Sequence, residues 1–316
     1  MRNKLLAIFM ITTCMAFAQF DAQLSQYMFN NSAFNPAAVG VNNLIDVTGQ
    51  HRINMIGMPG GGSTTVFSIN SPFKTGKLNH GIGLSFLNDK VGWFSNKAFR
   101  LQYAYKTSLG DGNLSIGTEF AMVSLGFSGD SLAGSKISIG SYHDFSGDNA
   151  IPQSGVVGTG FDVGFGIWYN LANWYAGVSF LHANSPTVEW GQNNEFTQYS
   201  NFYATGGLNW KMINPKYVLK PSLLVKSDFR SWQFDLSSRL EYDEKFWGGL
   251  TLRPFNSFAL MGGVNITGGL AVGYAFDMAL NRLIKTNSGS HEVFMSYSFE
   301  FLFSKQQTKQ KSIRFL

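Results

Sequence analysis

The sequence is poor in cysteine, in charge and in long apolar runs, and each shortage excludes a class of protein. Its 316 residues contain a single cysteine, Cys14, so neither a disulfide framework nor a cysteine-ligated metal site is possible. Charged residues make up only 14% of the chain, well below the roughly 25% of ordinary soluble proteins. The net charge of +5 is too small to indicate a nucleic-acid-binding protein. Beyond the amino terminus no apolar run approaches the about 18 residues that indicate a transmembrane helix.

The amino terminus has the layout of a secretory signal peptide. Two basic residues precede a mostly apolar run over residues 5–17, which ends in small residues around a cleavage position. We therefore predict an exported protein with a signal peptide over residues 1–18, and cleavage there removes Cys14. A lipid-modified Cys14 is the alternative, but Thr12 and Thr13 stand where small or aliphatic residues are expected.

Aromatic residues (15%) and 35 glycines are abundant instead, and apolar residues recur at every second position in many segments. The alternation is clearest near the carboxyl end, where Val293, Met295 and Tyr297 share one face while Glu292 and Ser296 share the other. A two-residue period predicts β-strands. We predict 14 strands, near residues 44–52, 63–70, 80–88, 98–108, 113–127, 160–170, 173–181, 199–211, 216–227, 230–241, 245–253, 256–265, 269–279 and 291–303.

The polar face of these strands is rich in Gly, Ala and Ser with isolated charges, which suits an enclosed interior better than open solvent. We predict an all-β fold, a transmembrane antiparallel β-barrel of the outer-membrane type over residues 42–303, with its apolar face in lipid. The barrel must close because an open edge in hydrocarbon leaves backbone groups unpaired. An even number of strands places both termini in the periplasm. A large soluble β-protein is the alternative.

Charged residues of both signs fall on the predicted polar face, among them Arg100, Glu119, Arg253 and Asp277. They indicate either an ion-pair network that holds the wall or a plug together, or separately solvated lumen charges. An ion-selective channel more often shows one dominant sign.

Two segments lack the barrel pattern. Residues 19–41 show no alternation, and we predict a lead segment that lies either in the periplasm or in the lumen. Residues 304–316 form a basic tail after the last strand, which we place in the periplasm.

The residues that could carry catalysis lack the required spacing. No histidine is two or four residues from another, so no zinc pair is predicted. Ser290, His291 and Glu292 are adjacent, but neighbours on a strand point to opposite faces and cannot form a catalytic triad. The glycines at 60–62 are not followed by the lysine of a phosphate-binding loop. We predict that the protein is not an enzyme and holds neither a metal nor a cofactor.

Sequence blocks along nearly the whole mature chain resemble the PorP/SprF family of type IX secretion system membrane proteins. They include residues 23–30, 35–37, 49–52, 226–229 and 288–292. The candidate partner-binding or structural residues in the blocks are Gln26, Tyr27, Asn35, Pro36, Gly40, His51, Arg52, Asp228, Gly289, His291 and Glu292. Trp93 and Phe94, in a predicted external loop, are separate candidates because aromatic side chains dominate protein interfaces.

The resemblance implies a non-enzymatic outer-membrane barrel of the type IX secretion and gliding apparatus. Such a barrel docks a secreted partner, the C-terminal sorting domain of a cell-surface adhesin, for export or retention at the surface. The implied partners are that adhesin, type IX components and outer-membrane lipid, with no nucleic acid. The alternatives are a core component that contacts the periplasmic ring, a general diffusion porin and an outer-membrane hydrolase.

Overall fold

Alternating residues form long antiparallel strands in the computed structural model, which describes residues 21–128, 155–190, 194–266 and 268–300. The predicted signal peptide (1–18) and basic tail (304–316) lie outside these ranges. The strands are β1 (Ile45–Ile53), β2 (Ser63–Thr75), β3 (Leu78–Val91), β4 (Phe94–Leu109), β5 (Gly112–Ser128), β6 (Gly155–Asn170), β7 (Trp174–Leu181), β8 (Thr187–Trp190), β9 (Asn194–Thr197), β10 (Asn201–Leu208), β11 (Trp210–Lys211), β12 (Tyr217–Ser227), β13 (Trp232–Tyr242), β14 (Phe246–Arg253), β15 (Ser257–Ile266), β16 (Leu270–Ala279) and β17 (Ser290–Phe299).

The strands close into a barrel through the pairing of the first with the last. β1 pairs antiparallel with β17, from Ile45 opposite Phe299 to Ile53 opposite His291. Sequence neighbours pair around the rest of the wall, with β10 joined directly to β12. The short β11 extends the edge of β12, and β8 and β9 form a separate hairpin. The result is a closed barrel of 14 strands, which confirms the predicted fold class and strand number.

The barrel is apolar outside and polar inside. On β4, Phe99 and Leu101 are 51% and 46% exposed, whereas Arg100 between them is 4% exposed. The same pattern recurs around the wall and exposes far more large apolar side chains than water tolerates on a soluble protein. Lipid contact accounts for this surface. No described helix has the length and apolarity needed to cross a bilayer.

The two ends of the barrel differ in their connections. We call one the short-turn end; its strand pairs are joined by residues 76–77, 110–111, 171–173, 209–216, 243–245 and 267–269. The other, the loop end, carries the connections 54–62, 92–93, 228–231, 254–256 and 280–289 and the β8–β9 hairpin; β5 finishes and β6 begins there. β1 begins and β17 finishes at the short-turn end.

Three local predictions were wrong in extent. The external loop predicted around Trp93 and Phe94 is a two-residue turn at 92–93, because β3 continues to Val91 and β4 begins at Phe94. The link predicted over residues 71–79 is mostly strand, because β2 and β3 continue to a two-residue turn at 76–77. Proline has no backbone N–H to donate. Pro72 is tolerated there because β1 pairs with β2 only as far as Asn70, so no hydrogen bond between β1 and β2 requires a donor at position 72. The β8–β9 hairpin was predicted as a loop; its strands have only four residues each, too few for a clear period.

The lead segment runs through the lumen, with the described part beginning near the loop end. Asp21 contacts His182, which follows β7 at that end, and Gly40 contacts Asn70 in the short-turn half of β2. Three 3-10 turns fold the segment: Tyr27–Phe29, Asn31–Ala33 and Pro36–Ala38. Asp21 and the end of β17 therefore lie towards opposite ends of the barrel. The expectation that both termini are periplasmic concerns residues outside the described ranges and stays a prediction.

Candidate functional site in the lumen

The lumen is filled by contacts between the lead segment and inward-facing side chains of the wall. Cavities of about 340 and 290 Å³ open at the loop end, and cavities of about 390 and 320 Å³ open at the short-turn end. A smaller space of about 30 Å³ lies beside Tyr27 and Phe34, between the lead segment and the wall. We divide the lumen into a loop-side half around residues 21–26 and a short-turn half around residues 35–41.

A buried carboxylate fixes the lead segment in the loop-side half. Glu292 is fully buried on β17, and its two carboxylate oxygens accept the backbone N–H groups of Ser25 (2.6 Å) and Gln26 (2.9 Å). Arg52 on β1 approaches the same carboxylate at 3.5 Å. Hydrogen bonds to a charged acceptor are stronger than neutral ones, so Glu292 ties the segment to the strand pair that closes the barrel.

An ion-pair network extends from this carboxylate around the wall. Arg52 also pairs with Asp277 at 3.1 Å, and Arg253 contacts both Asp277 and Asp235, the latter at 3.1 Å. Ser25 Oγ lies inside the network, donating to Asp277 at 2.9 Å and accepting from Arg52 at 2.7 Å. The opposed charges compensate one another among largely buried side chains, as burial requires. The network that the mixed charges predicted is therefore present.

Gln23 joins the lead segment to the next strands. Its side-chain amide donates to Asp235 at 2.9 Å, and its amide oxygen accepts from Lys226 at 3.1 Å and from Gln233 at 2.6 Å. The lead segment is thereby bonded to β12 and β13 as well as to β17.

Asp21 is held by a buried histidine. His182 Nε2 is 2.9 Å from Asp21, and His182 Nδ1 is 2.6 Å from Asp162 on β6. Burial by itself lowers the pKa of His182, but the two facing carboxylates outweigh it and raise the pKa to about 10. Burial raises the pKa of Asp21 in turn, yet the charge on His182 brings it well below its usual range. At neutral pH the three side chains form a carboxylate–imidazolium–carboxylate chain.

Aromatic packing closes the middle of the lumen. Phe29 stacks on Phe294 with ring centroids 4.3 Å apart and lies 4.8 Å from Trp247. The guanidinium of Arg239 lies 4.3 Å from the centroid of Phe29, a cation–π contact. Apolar side chains of the lead segment therefore form part of an internal core.

Amide groups and glycines hold the lead segment in the short-turn half. Asn35 Nδ2 donates to the carbonyls of Ile167 and Val178, both at 3.2 Å, and its Oδ1 accepts from Ala37 N. A Cβ added at Gly117 would lie 2.6 Å from Ala37 Cα. The backbone of the segment therefore occupies space that only glycine leaves open on β5.

Seven of the predicted candidate residues lie in the lumen. Gln26, Arg52 and Glu292 meet in the loop-side network, and Tyr27 is buried beside it with its hydroxyl 3.0 Å from Ser222. Asn35, Pro36 and Gly40 lie in the short-turn half, where Gly40 has a φ of 62°.

The remaining candidates lie outside the lumen network. His51 and His291 face outward, hydrogen-bonded to Thr65 and Tyr274 respectively. Asp228 accepts from the backbone of Arg230 and Ser231 in a turn, and Gly289 has a φ of 89° in another. Trp93 is half-buried at the loop end, and Phe94 packs with Phe127, Trp190 and Phe196 rather than standing alone.

Several residues that contact the lead segment were not among the candidates. Asp235, Arg253 and Asp277 were recognised as polar-face charges, and alternation alone places them inside. His182 had no such indication because it follows β7, outside the strand pattern. Its pairing with Asp21 joins residues 161 positions apart, which a single sequence does not reveal.

The described residues offer no metal-binding cluster of three or more His, Cys, Asp or Glu side chains. Ser290 points inward, where its Oγ accepts from Met55 N at 3.0 Å, while His291 faces outward. The two neighbours therefore lie on opposite faces of β17, as a strand requires.

The sequence matches the profile of a family described as type IX secretion system membrane protein PorP/SprF over residues 16–297. That range spans nearly the whole chain. The chain belongs to the PorP/SprF family. Members of this family are secretion components, and the match places the barrel in the outer membrane as part of type IX secretion.

Solved outer-membrane barrels share the fold of this PorP/SprF protein. The toluene transporter TbuX of Ralstonia pickettii is 12% identical, with 85% of this chain and 92% of that chain covered at a TM-score of 0.50. The monoaromatic hydrocarbon channel CymD is 11% identical, with 89% and 94% covered and a TM-score of 0.50. Identities this low show the fold alone. No curated protein matches the sequence significantly.

Proposed function

We propose that this barrel docks a secreted partner, the C-terminal sorting domain of a surface adhesin, for export or retention at the cell surface. One observation carries the proposal: the lead segment occupies the lumen and is hydrogen-bonded to the wall from Asp21 to Gly40. A wall built around an internal segment suits a docking platform better than a pore. Family membership supports the same role.

The proposed orientation follows the connections. Bacterial barrels have short periplasmic turns and longer external loops, so we place the short-turn end in the periplasm and the loop end outside. The beginning of β1 and the end of β17 are then periplasmic. Cysteine-specific labelling of intact cells at position 287, in the 280–289 connection, tests this orientation. Labelling at position 209 instead would reverse it.

Affinity purification from outer membranes tests the docking role. A tagged protein extracted in mild detergent should retain a large secreted protein together with type IX components. Recovery of periplasmic ring components without a secreted protein would favour the alternative of a core component. Recovery of neither would refute both roles.

The diffusion-porin alternative is tested by conductance in planar bilayers. Because the lead segment occupies the lumen, the full-length protein should give no stable channels. A stable open conductance would contradict a filled lumen and favour the porin.

A further inference from the structure

The cavity of about 390 Å³ at the short-turn end, which we call the short-turn cavity, has an unusual lining. Six asparagines contribute to it: Asn30, Asn31, Asn42, Asn70, Asn170 and Asn209. Its one charged lining residue among the described residues is Asp46, whose carboxylate accepts from Asn42 (3.1 Å) and Ser298 (2.6 Å). The cavity therefore presents amides and hydroxyls rather than free charge.

The loop-end cavities have the opposite chemistry. One is lined by Asp21, Asp89, Arg52, Arg253 and Asp277, and the other shares Asp21 and Asp89 with it. A charged ligand finds complementary groups there, whereas the short-turn cavity suits a neutral ligand that both donates and accepts hydrogen bonds.

Polypeptide backbone is such a ligand, and wall amides of this lumen already bind it. Asn70 Oδ1 accepts the backbone N–H of Gly40 at 2.8 Å, and Gln102 Nε2 donates to the carbonyl of Ser32 at 2.8 Å. Asn70 also lines the short-turn cavity, so one residue connects the bound lead segment with the open space beside it.

Two buried polar atoms of the lining have no partner among the described residues. They are the indole Nε1 of Trp168, a residue only 3% exposed, and Oδ1 of Asn31. One is a donor and the other an acceptor, and a peptide group supplies the matching carbonyl and N–H. Buried polar groups are normally hydrogen-bonded, so these two atoms retain bonding capacity that a peptide-like ligand would use.

We propose that the short-turn cavity binds an extended, uncharged stretch of a partner polypeptide through its main chain. The inference rests on the proposed docking function and deepens it, since the polypeptide is the secreted partner. The proposal places the partner-binding site at the short-turn end, opposite the loop end where Phe94 packs with Phe127, Trp190 and Phe196.

Photo-crosslinking in native outer membranes tests at which end of the barrel the partner binds. A photoreactive phenylalanine replaces Asn209, an exposed residue of the short-turn lining. In a matched protein it replaces Asn287, a half-buried residue of the loop-end lining. Position 209 should give at least several-fold more adduct with the secreted partner. Adducts from position 287 alone, or equal adducts from both, would overturn the proposal.

A filled cavity provides the second test. Asn209→Trp should lower the amount of co-purified partner several-fold, while Asn287→Trp leaves it unchanged. Heat-modifiable migration on gels checks that both variants remain folded barrels. If the unsubstituted protein retains its partner and Asn209→Trp does so equally, this proposal fails while docking stands. If the unsubstituted protein retains no partner, the docking function fails and this proposal with it.

Discussion

The two halves of the lumen hold one continuous segment by different physical means. In the loop-side half, residues 21–26 are bound by Glu292, Asp277, Asp235 and His182 through charged hydrogen bonds. In the short-turn half, residues 35–41 are bound chiefly by neutral amides and by close approach to glycines, with one charged donor, Lys106 Nζ, on the carbonyl of Gly40. Charged contacts respond to pH and to loss of a partner, whereas steric and amide contacts respond to side-chain volume. The halves should therefore fail under different perturbations.

The largest effect is expected from Glu292→Ala. It removes the acceptor of two backbone N–H groups and leaves Arg52 short of a counter-charge in a buried site, at a cost of about 3–5 kcal/mol. Urea unfolding of the barrel in detergent measures the loss, and hydrogen exchange at Ser25 and Gln26 reports release of the segment. Glu244→Ala, in an exposed turn, is the matched control. Equal stability of the two variants would show that Glu292 holds nothing.

Gly117→Val should have the next largest effect. The new side chain would occupy the space of Pro36 and Ala37, and such overpacking costs about 1–3 kcal/mol. Limited proteolysis should then cut within residues 35–41. Gly49→Val is the control, because nothing lies within 4 Å of a Cβ there. If residues 35–41 of the Gly117→Val variant resist proteolysis, then β5 moves to accommodate the valine and the lead segment stays bound.

Asn35→Ala tests the amide contacts with a smaller change. It removes bonds to two wall carbonyls and to Ala37 N, for a cost of about 1–2 kcal/mol. Asn281→Ala removes the equivalent cap of an exposed 3-10 turn and should cost less. The unfolding midpoints of the two variants decide the comparison, and a larger loss at Asn281 would contradict it.

The smallest effect at neutral pH concerns His182. The pKa of His182 is raised from 6.5 to about 10 in the folded protein, so the charged imidazolium stabilises the folded state. This stabilisation is complete below pH 6.5 and is lost as the pH rises through about 10. Arg100 and Tyr203 also face the Asp21–His182–Asp162 group. Hydrogen exchange of residues 21–26 should therefore become faster, relative to an unfolded peptide, between pH 7 and 10. The turn capped by Asn35 should not respond, because its contacts with Ile167, Val178 and Ala37 involve no titratable group. His182→Gln should remove the pH dependence; if it persists, another group titrates.

A strand was predictable from the sequence when its alternation of apolar and polar residues was long. Long alternating runs such as β4 (Phe94–Leu109) and β5 (Gly112–Ser128) show many periods, and lipid on one face forces the alternation at every step. The four-residue strands β8 and β9 show too few. Residues 71–79 were predicted as a link, yet β2 continues through Pro72, which the sheet tolerates because β1 stops pairing before it.

The candidate site was predictable only in part. Arg52 and Glu292 could be placed on the polar face by alternation, but their common contact with residues 25 and 26 could not. Glu292 binds the backbone N–H groups of Ser25 and Gln26, and the pattern of side chains in the sequence does not show which backbone groups are bound. His182 was missed because its burial depends on a turn after β7 and on Asp21, at the far end of the sequence.

The sequence alone determined that this chain closes into a membrane barrel, because a two-residue period with apolar side chains on one face has a single stable solution in lipid. It also determined that charges of both signs would face inward. Only the tertiary structure decided between a lead segment in the periplasm and one in the lumen. That choice depends on Glu292, Gly117 and His182, which come from separate strands and connections and together surround residues 21–41. Contacts between residues so far apart in the chain produce no periodic pattern in the sequence.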